Sequence, residues 1–142
     1  MIEINFADVV EVPGLDSELL VLWLSEVVSL EGFECGDVDV IFCSDEYLLV
    51  LNNRYLQHDF YTDIVTFDYC VGTNVRGELY ISIERVLENS RTFRSSFLDE
   101  LRRVCVHGVL HLCGYGDKSD DQILVMRSKE QYYLDLYVSR ET

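Results

Sequence analysis

Residues 104–117, VCVHGVLHLCGYGD, constrain the fold and chemistry of this chain more than any other segment. His107 and His111 are four residues apart, so on a helix both imidazoles lie on one face and can chelate one cation. Two glycines then permit a sharp turn, and Asp117 follows six residues after His111. We therefore predict a helix that carries two histidine ligands, and a turn that returns a carboxylate to them as the third ligand.

Three protein ligands leave one coordination position for water, which is the layout of a catalytic zinc site. The alternative is that the pair is an ordinary surface or core feature, but buried imidazoles without a partner are costly. Gly108 follows the first histidine, where HExxH proteases carry the glutamate that serves as general base. The sequence offers no protein general base, so a metal-bound water is the predicted nucleophile. A glycine within a helix costs about 1 kcal/mol, which predicts a close approach of packed backbone or of substrate at this position.

The composition limits the class of protein. A chain of 142 residues fits one domain, here residues 1–142. The formal net charge of −15 argues against a broad nucleic-acid-binding surface, because phosphate binding depends on Lys and Arg. The sequence contains no run of about 18 apolar residues, so it predicts no membrane span. The N-terminal residues lack the pattern of a signal peptide. The five cysteines are odd in number and lack CxxC spacing, which predicts reduced thiols and a cytoplasmic location.

The hydrophobic patterns alternate between strand and helix periods. They predict strands at residues 2–6, 38–43, 64–69 and 77–84. They predict helices that begin at Asp16 or Ser17, at Ser44 or Asp45, near residue 84 and at Ser95 or Ser96, and a last helix with a capping box at residues 119–122. This order indicates an α+β fold: a small mixed sheet of three to four strands covered by helices, with the metal site on a central helix. Trp23, Cys113 and Leu56 are predicted to face inward.

HGVLHLCGYGD, residues 107–117, resembles the signature HGxLHLxGYDH of the YbeY family of metal-dependent endoribonucleases. LNNRYLQHDFYTDIVTF, residues 51–67, resembles the family block LNxxYRxxDxPTDVLSF, and GELYIS, residues 77–82, resembles the strand before the metal helix. The resemblance implies an α+β fold and one zinc ion per chain. It also implies an endoribonuclease of ribosomal RNA maturation (16S rRNA 3′-end processing) and ribosome quality control, with RNA and ribosomal proteins as partners.

Two positions depart from the family pattern. The first two zinc ligands carry over to His107 and His111, but Asp117 stands where the family has a third histidine. A carboxylate is an acceptable zinc ligand, and its negative charge makes the metal a weaker Lewis acid. Leu56 occupies the position where the family has a basic residue, and the resemblance implies that this basic residue contacts RNA phosphate. The candidate substrate-binding residues are therefore Arg54, His58, Thr62, Asp63 and Lys118, although ordinary surface or turn roles remain open for each.

Two other functions remain open at this stage. One is a metallohydrolase of another substrate, such as a peptide, and the missing glutamate after His107 argues against it. The other is a non-catalytic ribosome-assembly factor with a structural metal. Five arginines before and along the metal helix form either one basic patch or separate solvated faces: Arg85, Arg91, Arg94, Arg102 and Arg103.

Overall fold

The computed structural model describes residues 1–141, and the side chains of residues 1–139. The helices and strands in this part of the chain are, in order, β1 (Ile2–Phe6), α1 (Ser17–Leu30), β2 (Glu34–Cys43), α2 (Asp45–Leu56), β3 (Ile64–Asp68), β4 (Asn74–Ser82), α3 (Ile83–Phe93), α4 (Phe97–Leu112) and α5 (Asp120–Glu141). The strand order in the sheet is β1-β2-β4-β3. β1 and β4 are parallel to β2, and β3 is antiparallel to β4. The predicted α+β fold with a small mixed sheet is therefore confirmed.

Successive residues of a strand point to opposite faces of the sheet, so the sheet contributes side chains to two hydrophobic clusters. The larger cluster joins one face of the sheet to α1, α4 and α5. The smaller one lies under α2 and centres on Cys43, Leu48 and Val65. Trp23 is fully buried and donates from its indole nitrogen to the carbonyl of Tyr133 at 2.8 Å, so its predicted packing role is confirmed.

Side-chain caps fix where the helices begin. Asp16, Ser44 and Ser96 each accept a hydrogen bond from the backbone three residues on. The predicted capping box is also present: the Gln122 amide donates to Ser119 Oγ at 3.2 Å, and Gln122 Oε1 accepts from the Ser119 amide at 3.4 Å. This box starts α5 directly after the loop that carries Asp117.

Four local predictions were wrong. β2 begins earlier than predicted, at Glu34, and β4 begins at Asn74, inside the segment predicted as a turn. β4 ends at Ser82 because this side chain caps α3, so Ile83 opens a helix instead of extending the strand. Leu56, predicted to face inward, is 42% exposed because it is the last residue of α2 and lies at the sheet edge.

Gly108 allows α4 to lie close against the sheet. A Cβ atom at this position would lie 2.7 Å from Cδ1 of Ile64 and 3.0 Å from both Cδ atoms of Leu79. The close approach predicted from this glycine is therefore confirmed, but the approaching groups are side chains of β3 and β4 and not the expected backbone or substrate. The close packing at Gly108 determines how far His107 and His111 lie from β3.

All five cysteines are free thiols, and Cys113 is buried as predicted. Within residues 1–141, no helix is both long and apolar enough to cross a bilayer.

Candidate metal centre and its cleft

The two histidines of α4 and the aspartate of the following loop meet at one point. The Nε2 atoms of His107 and His111 are 3.0 Å apart. Asp117 Oδ2 lies 3.4 Å from Nε2 of His107 and 3.3 Å from Nε2 of His111. The turn that returns Asp117 to the helix passes through Gly114, whose φ of +99° favours glycine. These are the three residues that the sequence indicated as ligands, and the cluster has the composition of a metal site.

Hydrogen bonds on the far side of each imidazole fix its orientation. Nδ1 of His111 donates to the carbonyl oxygen of Tyr115 at 2.8 Å. Nδ1 of His107 donates to Oε2 of Glu130 at 2.6 Å. A carbonyl oxygen only accepts hydrogen bonds, so the His111 proton lies on Nδ1 and the Nε2 lone pair faces Asp117. The same arrangement at His107 leaves both Nε2 lone pairs in the cluster, as in metal-binding histidines.

The three donor atoms fit one small divalent cation. The two Nε2 lone pairs and the carboxylate oxygen repel one another at these distances. A cation between them would attract all three donor atoms. Tetrahedral zinc with ligands at about 2.0–2.1 Å requires donor atoms about 3.3–3.4 Å apart. Both distances to Asp117 meet this requirement, and the 3.0 Å between the two nitrogens is slightly shorter.

Glu130 connects the cluster to a buried ion-pair network. It is 2% exposed and accepts from Nη1 of Arg103 at 3.0 Å, while Arg103 also pairs with Glu100. Burial alone would raise the pKa of Glu130, but the hydrogen bond from His107 and the charge of Arg103 together hold it below its usual value. Glu130 is thus an ionised acceptor for His107. The sequence predicts only that Glu130 lies on the last helix. Glu130 follows Met126 by four residues and so lies on the same buried stripe, and a buried carboxylate requires a hydrogen-bond or ion-pair partner.

A second network holds the loop that carries Asp117. The hydroxyl of Tyr115 donates to Oε1 of Glu31 at 2.6 Å, and Glu31 also accepts from Tyr133 and, at 3.1 Å, from Lys129. Burial would raise the pKa of Glu31, but these donors lower it below its usual value. The residue after α1 is thereby tied to the residue whose carbonyl orients His111.

The cluster opens into a cleft of about 620 Å³ between α4 and β3, which we call the metal cleft. Six of the eight predicted site residues line it: Thr62, Asp63, His107, His111, Asp117 and Lys118. Leu56 also lies in its wall, together with residues of β3. Arg54 and His58 do not line it: Arg54 is exposed on α2, and the His58 ring stacks on Phe60 with centroids 5.0 Å apart.

Asp63 is a titratable group in the wall of the metal cleft. Asn89 Nδ2 donates to its Oδ2 at 3.2 Å, and the Asp63 carbonyl accepts from the Ser82 amide at 3.0 Å. Burial raises the pKa of Asp63, and the charges of His107 and Arg103 offset this only in part. A carboxyl group with a raised pKa in a cleft is a candidate for proton transfer. Asp63 could not be recognised as a base from the sequence, because its burial depends on the fold.

The arginines around α4 do not form a free basic patch. Most of them pair with carboxylates: Arg85 with Asp45 at 2.8 Å, Arg91 with Glu88 at 3.9 Å, Arg102 with Asp99 at 3.1 Å, and Arg103 with Glu100 and Glu130. Arg94 caps the C-terminal end of α3. Of the two readings that the sequence left open, the structure favours separate, neutralised side chains.

The fold and the site define a single-domain α+β protein with a three-donor His-His-Asp cluster open to a cleft. The family model described as Endoribonuclease YbeY matches residues 12–138. A protein of Flavobacterium psychrophilum called Endoribonuclease YbeY is 51% identical over 115 residues, which are 81% of this chain and 82% of that protein. A protein of the same name from Parabacteroides distasonis is 41% identical over 125 residues, 88% of each chain. The solution structure of TM1509 from Thermotoga maritima superposes with a TM-score of 0.70 at 33% identity, and the match covers 99% of this chain and 91% of that one. The chain belongs to the YbeY family.

Proposed function

We propose that this protein is an endoribonuclease of ribosomal RNA maturation, with a role in 16S rRNA 3′-end processing and ribosome quality control. Membership of the YbeY family supports this activity. The observation that carries the proposal is the convergence of His107, His111 and Asp117 at the floor of the metal cleft. Ile64, Thr66 and Asp68 of β3 line the cleft, and we propose that an extended strand of RNA lies along them.

The cofactor that we propose is one zinc ion per chain, held by Nε2 of both histidines and by the Asp117 carboxylate. A donor set of two nitrogens and one oxygen is typical of catalytic zinc. Zinc in such a site acts as a Lewis acid towards phosphoryl oxygens and lowers the pKa of a coordinated water.

The surrounding residues orient the ligands and handle protons. Glu130 and the Tyr115 carbonyl hold the two imidazoles so that their Nε2 lone pairs stay in the cluster. Asp63 uses one carboxylate oxygen to accept from Asn89, which leaves Oδ1 to accept a proton in the cleft. Lys118, in the same wall, supplies a positive charge to phosphate. The Thr62 hydroxyl donates to the Ile64 carbonyl at 3.4 Å and so helps to fix Asp63 directly before β3.

The test combines metal analysis of the purified protein with RNA cleavage by wild type and by His111→Ala. We expect about one zinc per chain in wild type, and loss of both zinc and cleavage in the variant. His58→Ala is the matched control for metal content, because the structure places this third histidine outside the cluster. Full cleavage by His111→Ala contradicts the proposal. Bound zinc without any RNA cleavage would favour the assembly factor, and peptide cleavage would favour the alternative hydrolase.

We further propose that the protein acts in the cytoplasm and binds ribosomal proteins as well as RNA. Five free thiols are consistent with a reducing compartment. Because the net charge is −15, we expect RNA affinity to be weak and to fall steeply with salt, so a protein partner on the ribosome would help recruitment.

A further inference from the structure

The few positive charges of this protein are divided into paired and unpaired side chains. Among the residues whose side chains the structure describes, five of the Lys and Arg residues form ion pairs with carboxylates: Arg85, Arg91, Arg102, Arg103 and Lys129. In the same part of the chain, the basic residues without such an ion pair are Arg54, Arg76, Arg94, Lys118 and Arg127. An unpaired cation on a strongly acidic protein is available to an anionic ligand.

Two of these unpaired cations lie beside the proposed metal centre, in two different cavities. Lys118 lines the metal cleft on the β3 side. Arg127 lines a separate cavity of about 220 Å³ on the α5 side, which we call the α5 cavity. His107 and Asp117 line both cavities, so the cluster forms the boundary between them.

Arg127 is the cation of the α5 cavity that forms no ion pair among the described residues, and the Asp117 carboxylate of the proposed zinc cluster lies in another part of the wall. Arg103 and Glu130 also line it, but they neutralise each other through their ion pair at 3.0 Å. Ile123 and Met126 make the remaining wall apolar. Arg127 is exposed, and it extends from α5 one residue after the buried Met126, which fixes the backbone at this point. A guanidinium is planar and more weakly hydrated than an ammonium group, and its donors match two oxygens of a phosphate.

We propose that Arg127 binds a phosphate of the RNA strand in the α5 cavity, one subsite away from the phosphate at the metal centre. This inference rests on the proposed function, and it extends the substrate path from the metal cleft across His107 and Asp117 to α5. It also supplies a cation to the substrate path at a point other than Leu56, which lies in the wall of the metal cleft and carries no charge.

The test measures binding of a labelled single-stranded RNA to the protein, both as purified and in EDTA, where cleavage is blocked. Each phosphate contact to a single strand contributes about 0.7 to the slope of log K against log salt. We expect Arg127→Gln to reduce this slope by about 0.7 and to weaken binding about fivefold at 0.1 M salt. Arg127→Lys should retain most of the slope. In the metal-loaded protein, Arg127→Gln should raise KM more than it lowers kcat.

Arg76→Gln is the matched control. Arg76 is exposed on β4, forms no ion pair among the described residues and lines neither cavity, and the substitution changes the net charge by the same single unit. An unchanged slope in Arg127→Gln, or equal losses in the two variants, overturns the inference. If wild type cleaves RNA while this happens, the proposed function stands. If wild type neither binds nor cleaves RNA, both proposals fall.

Discussion

Glu130 Oε2 lies 2.6 Å from Nδ1 of His107 and couples the last helix to a proposed metal ligand on α4. The two residues are 23 positions apart in sequence, and the packing of Met126 and Tyr133 into the core brings them together. α5 therefore has a second task besides covering the core, since it orients the imidazole that faces both cavities.

Glu130→Gln is expected to weaken zinc binding about 10–100-fold, as losses of such outer hydrogen-bond partners usually do. The amide no longer balances the charge of Arg103 or favours the Nδ1–H tautomer of His107. Chelator competition measures the zinc affinity, and thermal unfolding of the metal-free protein reports any separate loss of stability. Asp135→Asn, an exposed acid-to-amide change on the same helix, is the control. Equal zinc affinities in Glu130→Gln and wild type would show that the carboxylate does not orient His107.

Much of the site was predictable because its signals are local. The spacing of His107 and His111, the glycine turn and the capping box at Ser119 each depend on residues within one or two helical turns. The contacts of Glu130 and Glu31 were not predictable, because they depend on how α1, α4 and α5 pack across large sequence separations. A buried acid in a helical stripe indicates that a partner exists, but not which residue it is.

The sequence also could not show which arginines form ion pairs. The sequence left open whether Arg103 belongs to a basic patch or to a solvated face, and the structure pairs it with Glu100 on its own helix and Glu130 on the next. Arg127, isolated in the sequence, is the arginine that stays unpaired beside the cluster. Leu56 was predicted to face inward by its helical period, but α2 ends at this residue, so no further turn covers it.

Asp63→Asn is expected to lower the rate of RNA cleavage about 100-fold, the usual order of a general acid–base contribution, while zinc content is retained. The amide keeps the size of the side chain but cannot accept a proton at Oδ1. Single-turnover cleavage with saturating protein measures the chemical step. Asp68→Asn, another acid in the wall of the metal cleft, separates this role from a general effect of charge. If both variants lose the same activity, proton transfer by Asp63 is contradicted.

Gly77→Ala should destabilise the protein by about 3 kcal/mol, through overpacking. A Cβ at this position would lie 2.5 Å from the carbonyl oxygen of Phe67, a backbone atom of β3 that cannot move without disturbing the strand pair. Gly108→Ala is the comparison: its nearest atoms are side-chain ends, and alanine gains about 1 kcal/mol in helix propensity. Urea unfolding of both variants measures the difference. A Gly77→Ala protein as stable as Gly108→Ala would contradict the argument.

Glu31→Gln should destabilise the protein by about 2 kcal/mol at pH 7, because charge-assisted hydrogen bonds to Tyr115, Tyr133 and Lys129 are lost. The folded-state pKa of Glu31 lies below its usual 4.5, so its contribution is complete above that value. The contribution disappears as the pH falls through the folded-state pKa, when the carboxylate is protonated. Unfolding free energies of the two proteins should therefore converge as the pH falls through the folded-state pKa of Glu31. A constant gap between them would show that the charge of Glu31 is not the source of stability.

Asp117→His is expected to move the pH–rate profile for RNA cleavage to lower pH. The substitution replaces a carboxylate by a neutral imidazole, which removes one negative charge from the three donors around the proposed zinc. A more positive centre is a stronger Lewis acid, so activity develops at lower pH. The loop geometry favours this replacement because Asp117 is exposed and the turn at Gly114 already brings its backbone to the helix. Profiles of kcat/KM against pH for both proteins, each loaded with one zinc, make the measurement. An unchanged or upward-shifted profile in Asp117→His would refute the role assigned to the charge of Asp117.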